Sequence, residues 1–293
     1  MKLIEADTVN KAEWDELVRS SGGTVFSLST YLDATADNWA VLFNDDRSGG
    51  IVCPFATKAG IKVLYAPFFH RYTEWIGTNR PSDEALLEKL QELFPVADIN
   101  CRMISSGSEK VHQELIQDHY NTNQQAKRML KKATVFRVSE EWLPEQLMQL
   151  LETELAPRIA GIDGHSLSKL QRLVTDFEHI GMVQVNLWKE DQWQGGLWLL
   201  VFEDRMLYLK GTVTAEAKGS GGMYRLMEYA IQQAFSTDKL FDFGGSNAEG
   251  VRRFNLNWGA TDRSYQHLQW NNAPLWWKTV KSLRDKWNSK SFS

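Results

Sequence analysis

The sequence predicts an α+β fold of mixed α/β character, two halves in tandem, each with a central, mainly antiparallel sheet flanked by helices. Three observations carry this. The order helix, helix, three antiparallel strands, helix, strand, helix, strand runs twice along the 293 residues, and such alternation packs helices on the faces of a sheet. The three strands of each half are separated by short polar turns of hairpin length. At 43% hydrophobic and 24% charged residues, the chain can bury two cores and is not a disordered polymer. The halves share an order of elements rather than an aligned sequence, and the expected division is 1–138 and 139–293.

Taken in order, Lys11 to Arg19 has the apolar spacing of an amphipathic helix, and Phe26 to Asp33 forms a second after the Ser21-Gly22-Gly23 break. Trp39 to Phe43, Gly50 to Thr57 and Ile61 to Ala66 are strands parted by Asp45-Asp46-Arg47-Ser48-Gly49 and Lys58-Ala59-Gly60. Pro81 to Phe94 reads as a helix with proline and serine at its start, Val96 to Ile104 as a strand, and Thr122 to Lys132 as a helix. In the second half, Trp142 to Leu155 and Leu167 to His179 are helical. Met182 to Lys189, Gly195 to Phe202 and Met206 to Gly211 are strands. Gly221 to Phe235 carries Met223, Leu226, Met227, Ala230, Ile231 and Ala234 on one helical face, and Leu240 to Phe243 is a strand. The last helix, Trp276 to Trp287, interleaves tryptophans with lysines; it either closes a core or touches an anionic membrane surface.

A net charge of −4 argues against a surface basic all over, although a local basic groove is compatible with it. Cys53 and Cys101 stand far apart in apolar strands, which predicts buried thiols in a reducing compartment. No segment offers the roughly 20 apolar residues that span a bilayer, so the expectation is a cytoplasmic protein without a membrane span. The six histidines form no His-Glu-x-x-His pattern, no Cys-x-x-Cys is present, and no G-x-S-x-G elbow occurs, so no metal site and no serine nucleophile is predicted.

Residues 241–260, FDFGGSNAEGVRRFNLNWGA, place Asp242 between two phenylalanines and ahead of a glycine pair. Strand alternation turns Phe241 and Phe243 to the core and Asp242 to the other face. There it could accept a proton from an attacking ammonium or hold an amine; equally, it could cap the turn or pair with Arg252. Tyr208 and Lys210 lie two apart on a strand and so share a face by period two. Tyr208 could protonate a leaving group and Lys210 could meet an anion, or both are ordinary strand residues. Gly219, Ser220, Gly221 and Gly222 lead into a helix whose first amides could hold phosphate; the bland alternative is a flexible turn. Lys127, Arg128, Lys131 and Lys132 put four cations within six residues, a phosphate grip or a solvated helix face. His70, Arg71 and Tyr72 follow Pro67 in a loop: Arg71 could bind carboxylate or phosphate and Tyr72 could stack, or the stretch is packed connection. The twelve tryptophans are read as core filling.

The strand, glycine-rich turn and amphipathic helix, followed by KLFDFGGS and GVRRFNLNWGA and preceded by NTNQQAKRMLKKA, resemble the FemAB-like branch of the GNAT acyltransferase superfamily. The resemblance covers most of the chain and is strongest over residues 182–265. It implies a tandem GNAT-like, acyl-CoA N-acyltransferase fold, and transfer of an acyl or aminoacyl group to an amine, with peptidoglycan or other cell-envelope precursors as acceptors. Acyl-CoA or aminoacyl-tRNA would be the co-substrate, tRNA would then be a partner, and no cofactor would be bound permanently. It makes Asp242, Tyr208 and Lys210 the catalytic candidates and Gly219 to Gly222 the donor-phosphate turn. His70, Arg71, Tyr72, Lys127, Arg128, Arg252 and Arg253 become substrate-binding candidates. Two residues depart from the pattern. Glu216 opens the turn with an acid that repels phosphate, and Asn255 stands where the family often has lysine, a cation that Arg252 or Arg253 would have to replace. These departures raise the alternative of a catalytically lapsed, ligand-binding GNAT-like protein.

Overall fold

The computed structural model describes residues 1–155, 157, 163–244 and 248–277. Its elements run β1 (Lys2–Glu5), α1 (Lys11–Ser20), α2 (Ser29–Thr35), β2 (Asn38–Phe43), β3 (Gly49–Lys58), β4 (Ile61–Tyr65), β5 (Trp75–Gly77), α3 (Asp83–Leu93), β6 (Val96–Cys101), β7 (Ser108–Leu115) and α4 (Gln124–Lys132). They continue with β8 (Phe136–Ser139), α5 (Pro144–Leu150), a π turn over Leu151–Leu155, α6 (Gly164–Phe177), β9 (Met182–Lys189), β10 (Gln192–Phe202), β11 (Arg205–Val213), α7 (Ala215–Gly219), α8 (Gly222–Ser236), β12 (Leu240–Asp242), α9 (Glu249–Leu256) and β13 (Thr261–Asn271). Of the terminal helix expected over Trp276 to Trp287, the part beyond 277 lies outside the described residues, as does the second glycine of the Gly244-Gly245 pair. None of the described helices is long and apolar enough to cross a membrane.

The chain forms two compact units, one of residues 1–67, 72–109 and 265–293, the other of 68–71 and 110–264. This differs from the single cut expected after residue 138. In the first unit the strands run β1-β2-β3-β4-β6-β13, antiparallel except for the parallel β4/β6 pair, with β5 added to the start of β3. In the second they run β8-β9-β10-β11-β12-β7, again antiparallel except for the parallel β11/β12 pair. Each unit therefore repeats one topology. Its final strand comes from the other half of the sequence: β13 completes the first sheet and β7 the second.

The cores follow the side-chain period. In the first unit Leu42, Ile51, Cys53, Phe55 and Leu64 pack beneath Leu86 and Leu90 of α3 and Phe94 just after it. That helix begins where Ser82 Oγ accepts from the Ala85 amide and Asp83 and Glu84 occupy its first turn. In the second unit Val185, Leu187, Leu197, Leu199, Phe241 and Phe243 meet Leu226, Met227, Ala230, Ile231 and Ala234 of α8. Both cysteines are free and buried, and burial raises both thiol pKa values, as expected for inert core thiols. Trp14, Trp198 and Trp258 are among the largest fully buried side chains.

Candidate functional site

The strand alternation expected around Asp242 is what the second unit shows. Phe241 and Phe243 lie in the α8 core, ring centroids 4.9 Å apart, while Asp242 belongs to the opposite face. It does not open onto a cleft there. Asp242 is 3% exposed, and both its oxygens are engaged by Arg71: Nη1 donates to Oδ2 at 2.8 Å and Nη2 to Oδ1 at 2.6 Å. Oδ1 also accepts from the Gly244 amide at 3.0 Å, and Arg71 Nε donates to the Gly244 carbonyl at 2.8 Å. This bidentate clamp fixes the end of β12. It corrects the expectation of Asp242 as an available base, because the carboxylate is buried and both its oxygens are held by the Arg71 guanidinium. It also corrects the pairing with Arg252, which instead binds Asp262, with Nε donating to Oδ2 at 3.1 Å.

Beside the clamp, Glu114 of β7 faces Asp242 across the β7/β12 ladder. It accepts from Arg205 Nη1 at 2.6 Å and from Arg263 Nε at 3.2 Å, and His112 Nε2 lies 3.1 Å away. Burial pushes the Glu114 carboxyl up, but the His112 hydrogen bond and the Arg205 charge outweigh it and hold the pKa well below the usual carboxylate range. Donor atoms of His112, Glu114 and Asp242 lie within 4.8 Å of one another, a spacing a metal ion could use. The guanidinium groups already on both carboxylates make the cluster an ion-pair network instead.

The remaining candidates separate. Arg71 does bind a carboxylate, but the carboxylate is the protein's own. Its loop neighbours His70 and Tyr72 are 3% and 1% exposed, and Tyr72 packs on Phe26 and Tyr265 in the first unit, so the expected ligand-facing loop is a packed connection. Arg253 is exposed and paired with Glu249 at 2.9 Å, and Asn255 is buried with Nδ2 donating to Gln113 Oε1 at 2.8 Å. On α4, Lys127, Arg128 and Lys131 line an open hollow of about 500 Å³ together with Gln124 and Gln125. Lys131 and Lys132 in its last turn suit the helix dipole.

The glycine turn is more ordered than a flexible loop. Ala215–Gly219 is a short helix capped by Thr214, and Gly221, with φ +87°, hands the chain directly into α8. A Cβ at Gly221 would lie 2.5 Å from the Met129 carbonyl of α4, so the residue must be glycine both for its φ and for helix approach. Gly221 and Gly222 are buried, whereas Ser220 is half-buried and Gly219 exposed. Glu216 is neutralised at the surface by Lys189 at 2.6 Å. Unlike α3 of the first unit, α8 begins with no side-chain cap and no acid in its first turn.

β11 runs along this turn and is the second unit's most unusual strand. Its parallel pairing with β12 ends at Leu207↔Asp242, and among the described residues no strand continues that edge toward Val213. Its pairing with β10 jumps from Leu199↔Tyr208 to Trp198↔Lys210, a bulge that leaves Leu209 unpaired. The extra residue overturns the expectation that Tyr208 and Lys210 share a face. Tyr208 packs in the α8 core and its hydroxyl donates to the Gly211 carbonyl at 3.2 Å, with burial pushing its pKa up. Lys210 turns with Trp198 to the face covered by α5 and the π turn. No single-sequence signal marks such a bulge, since Tyr208-Leu209-Lys210 reads as ordinary alternation.

No family model matches the sequence, and no curated protein matches it. Solved structures do match. FemX superposes with a TM-score of 0.58 at 11% identity, covering 90% of this chain and 96% of its own. A tandem GNAT protein from the clavulanic acid biosynthesis pathway gives 0.53 at 12%, covering 93% and 99%. L-PGS from Bacillus licheniformis gives 0.52 at 13%, covering 94% and 96%. The fold is thus the tandem GNAT-like fold that FemX and the tandem GNAT protein share, as the residues suggested.

Proposed function

We propose that the chain is an N-acyltransferase that moves an acyl or aminoacyl group from an activated donor to an amine, with the transfer site on the second unit along β11. The observation that carries this reading is the asymmetry between two units of one topology. In the first, the helix that connects the two strands of the parallel pair is capped by Ser82 and has Asp83 and Glu84 in its first turn. In the second, it starts at Gly221 with no side-chain cap and no acid, beside a strand whose edge, among the described residues, joins no strand beyond Leu207. An edge of free amides next to a helix N-terminus suits an acyl carbonyl flanked by donor phosphates. FemX and the tandem GNAT protein have this fold, which supports the same class of chemistry here.

In this reading the attacking amine adds to the acyl carbon, and amides of the β11 edge hold the developing oxyanion. The donor's sulfur or ribose oxygen leaves with the bond electrons and takes a proton. Tyr208, protonated at neutral pH as any tyrosine is and held so more firmly by its burial, is the candidate donor of that proton once released from Gly211, and the proton that the attacking nitrogen gives up as the amide forms restores it. Asp242 acts as a positioning residue, holding Gly244 against β11, where a Cβ on that glycine would meet the Tyr208 carbonyl at 2.5 Å. The cations Lys127, Arg128 and Lys131 of α4, which packs against the Gly221 turn, would meet phosphates of either acyl-CoA or aminoacyl-tRNA. The acceptor class carried by the resemblance is a cell-envelope or peptidoglycan-type amine.

The test incubates purified full-length protein with acyl-CoA and aminoacyl-tRNA donors and a panel of amines, reading transfer by mass spectrometry. Salt-sensitive tRNA retention on filters, against thermal stabilisation by coenzyme A, assigns the donor. Stabilisation by a donor with no transfer to any amine would support the lapsed, ligand-binding alternative instead.

A further inference from the structure

Lys210 has an unusual environment for a lysine. It is half-buried on a face of β11 that is otherwise covered, and among the described residues its ammonium makes no ion pair. Burial alone acts on it, lowering its pKa, with no carboxylate contributing. The bulge at Leu209 is what turns it there: in a regular strand it would follow Tyr208 into the α8 core. After the bulge, the register puts Lys210 beside Trp198, with Thr212 next on the same face and Gln184 beyond Trp198 on β9.

That face is polar for a covered sheet. Gln184, Asn186 and Thr212 are all buried on it. The two amides are fully used: Gln184 Nε2 donates to Asn186 Oδ1 at 2.9 Å, Trp198 Nε1 donates to Gln184 Oε1 at 3.1 Å, and Asn186 Nδ2 donates to the Glu141 carbonyl at 2.7 Å. Among the described residues the network supplies no counter-charge, so a partly desolvated cation stands at its edge without an opposite charge from them.

We propose that Lys210, beside Trp198 and Thr212, is a binding site for an oxyanion group, carboxylate or phosphate, of a substrate. An anion entering here gains a charge-assisted hydrogen bond in a poorly solvated place and repays the cost of burying the ammonium. The proposal deepens the transferase reading by assigning the substrate an acidic group on the face of β11 opposite Tyr208. It rests on that reading only for calling the anion a substrate.

The test is competitive amine labelling of the intact chain. The protein is acetylated briefly at constant pH and ionic strength in chloride, in inorganic phosphate, or in acetate, and each lysine is quantified by peptide mass spectrometry. Protection of Lys210 by phosphate or by acetate, with exposed Lys2 unchanged, is expected. It should reach about tenfold, the change that follows when an ammonium's pKa rises by roughly one. Protection by one anion alone names the group; protection by neither, or equal protection of Lys2, overturns the site. In parallel, anion-dependent thermal stabilisation should vanish in Lys210→Met and persist in Lys210→Arg, and stabilisation unchanged in Lys210→Met also overturns it. Labelling needs no turnover, so a protected Lys210 in a protein that transfers nothing would sink the transferase reading and leave the anion site standing.

Discussion

At the scale of single residues, Asp242 shows how far side-chain alternation carries and where it stops. Period two correctly put the two phenylalanines in the core and the acid on the other face, but the partner, Arg71, is 171 positions away and no local pattern points to it. The pair is buried on both sides, so its removal is asymmetric in cost. Asp242→Asn leaves a buried guanidinium facing a neutral amide, and a loss of about 3 kcal/mol in unfolding free energy is expected. Asp242→Leu strands the same cation, and combining it with Arg71→Met should recover most of its loss; urea unfolding of the parent, Arg71→Met, Asp242→Leu and the double variant measures the coupling. Glu114 gives a pH dependence of definite sign. Its folded-state pKa lies below its unfolded one, so the unfolded chain takes up the proton first as pH falls. The stability it supplies is complete above the ordinary carboxyl value of 4.5 and drains away below it. Glu114→Gln should therefore lose stability less steeply than the parent between about pH 5 and pH 3. Identical acid slopes would contradict the role given to Arg205 and His112.

At the scale of elements, the helices and the central hairpins were legible because their apolar periods and polar turns are strong, although nothing in the sequence marked the positive φ that Glu190 and Glu203 adopt, 53° and 50°. The closing strands β7 and β13 were not. Their sequences, SEKVHQEL and TDRSYQHLQWN, are rich in polar residues. In β7 the buried positions His112, Gln113 and Glu114 are paid for by ion pairs and amide bonds rather than by apolar burial, so no alternation appears. The glycine turn divides in a way that a sequence motif cannot express. Gly221 combines φ +87° with a close α4 carbonyl, and Gly221→Ala should destabilise by about 2 kcal/mol or more. Gly219 sits in α7 with nothing within 4 Å of an added Cβ, so Gly219→Ala should be neutral or stabilise by up to about 1 kcal/mol. Calorimetric melting of the two variants separates these outcomes, and equal effects would refute the packing account of the turn.

At the scale of the whole molecule, the repeated order of elements gave the tandem fold, while the division of the chain was misplaced because each unit borrows its last strand from the other half of the sequence. A hydrophobic period reports which face is buried but not which sheet a strand joins. The consequence is testable: fragments 1–138 and 139–293 each lack a closing strand, so neither should show a cooperative melt alone, while the two co-expressed should regain one. A cooperative melt from either fragment alone would refute the exchange. The functional claim lives at this scale too, in the difference between two units of one topology, and transfer itself is its most direct measure. Purified full-length protein, given acyl-CoA and aminoacyl-tRNA donors with candidate amines, is predicted to yield an amide product that is lost in a folded Lys210→Met variant. A folded parent protein that forms no amide with any donor, or a variant that forms it at the parent's rate, would contradict the account.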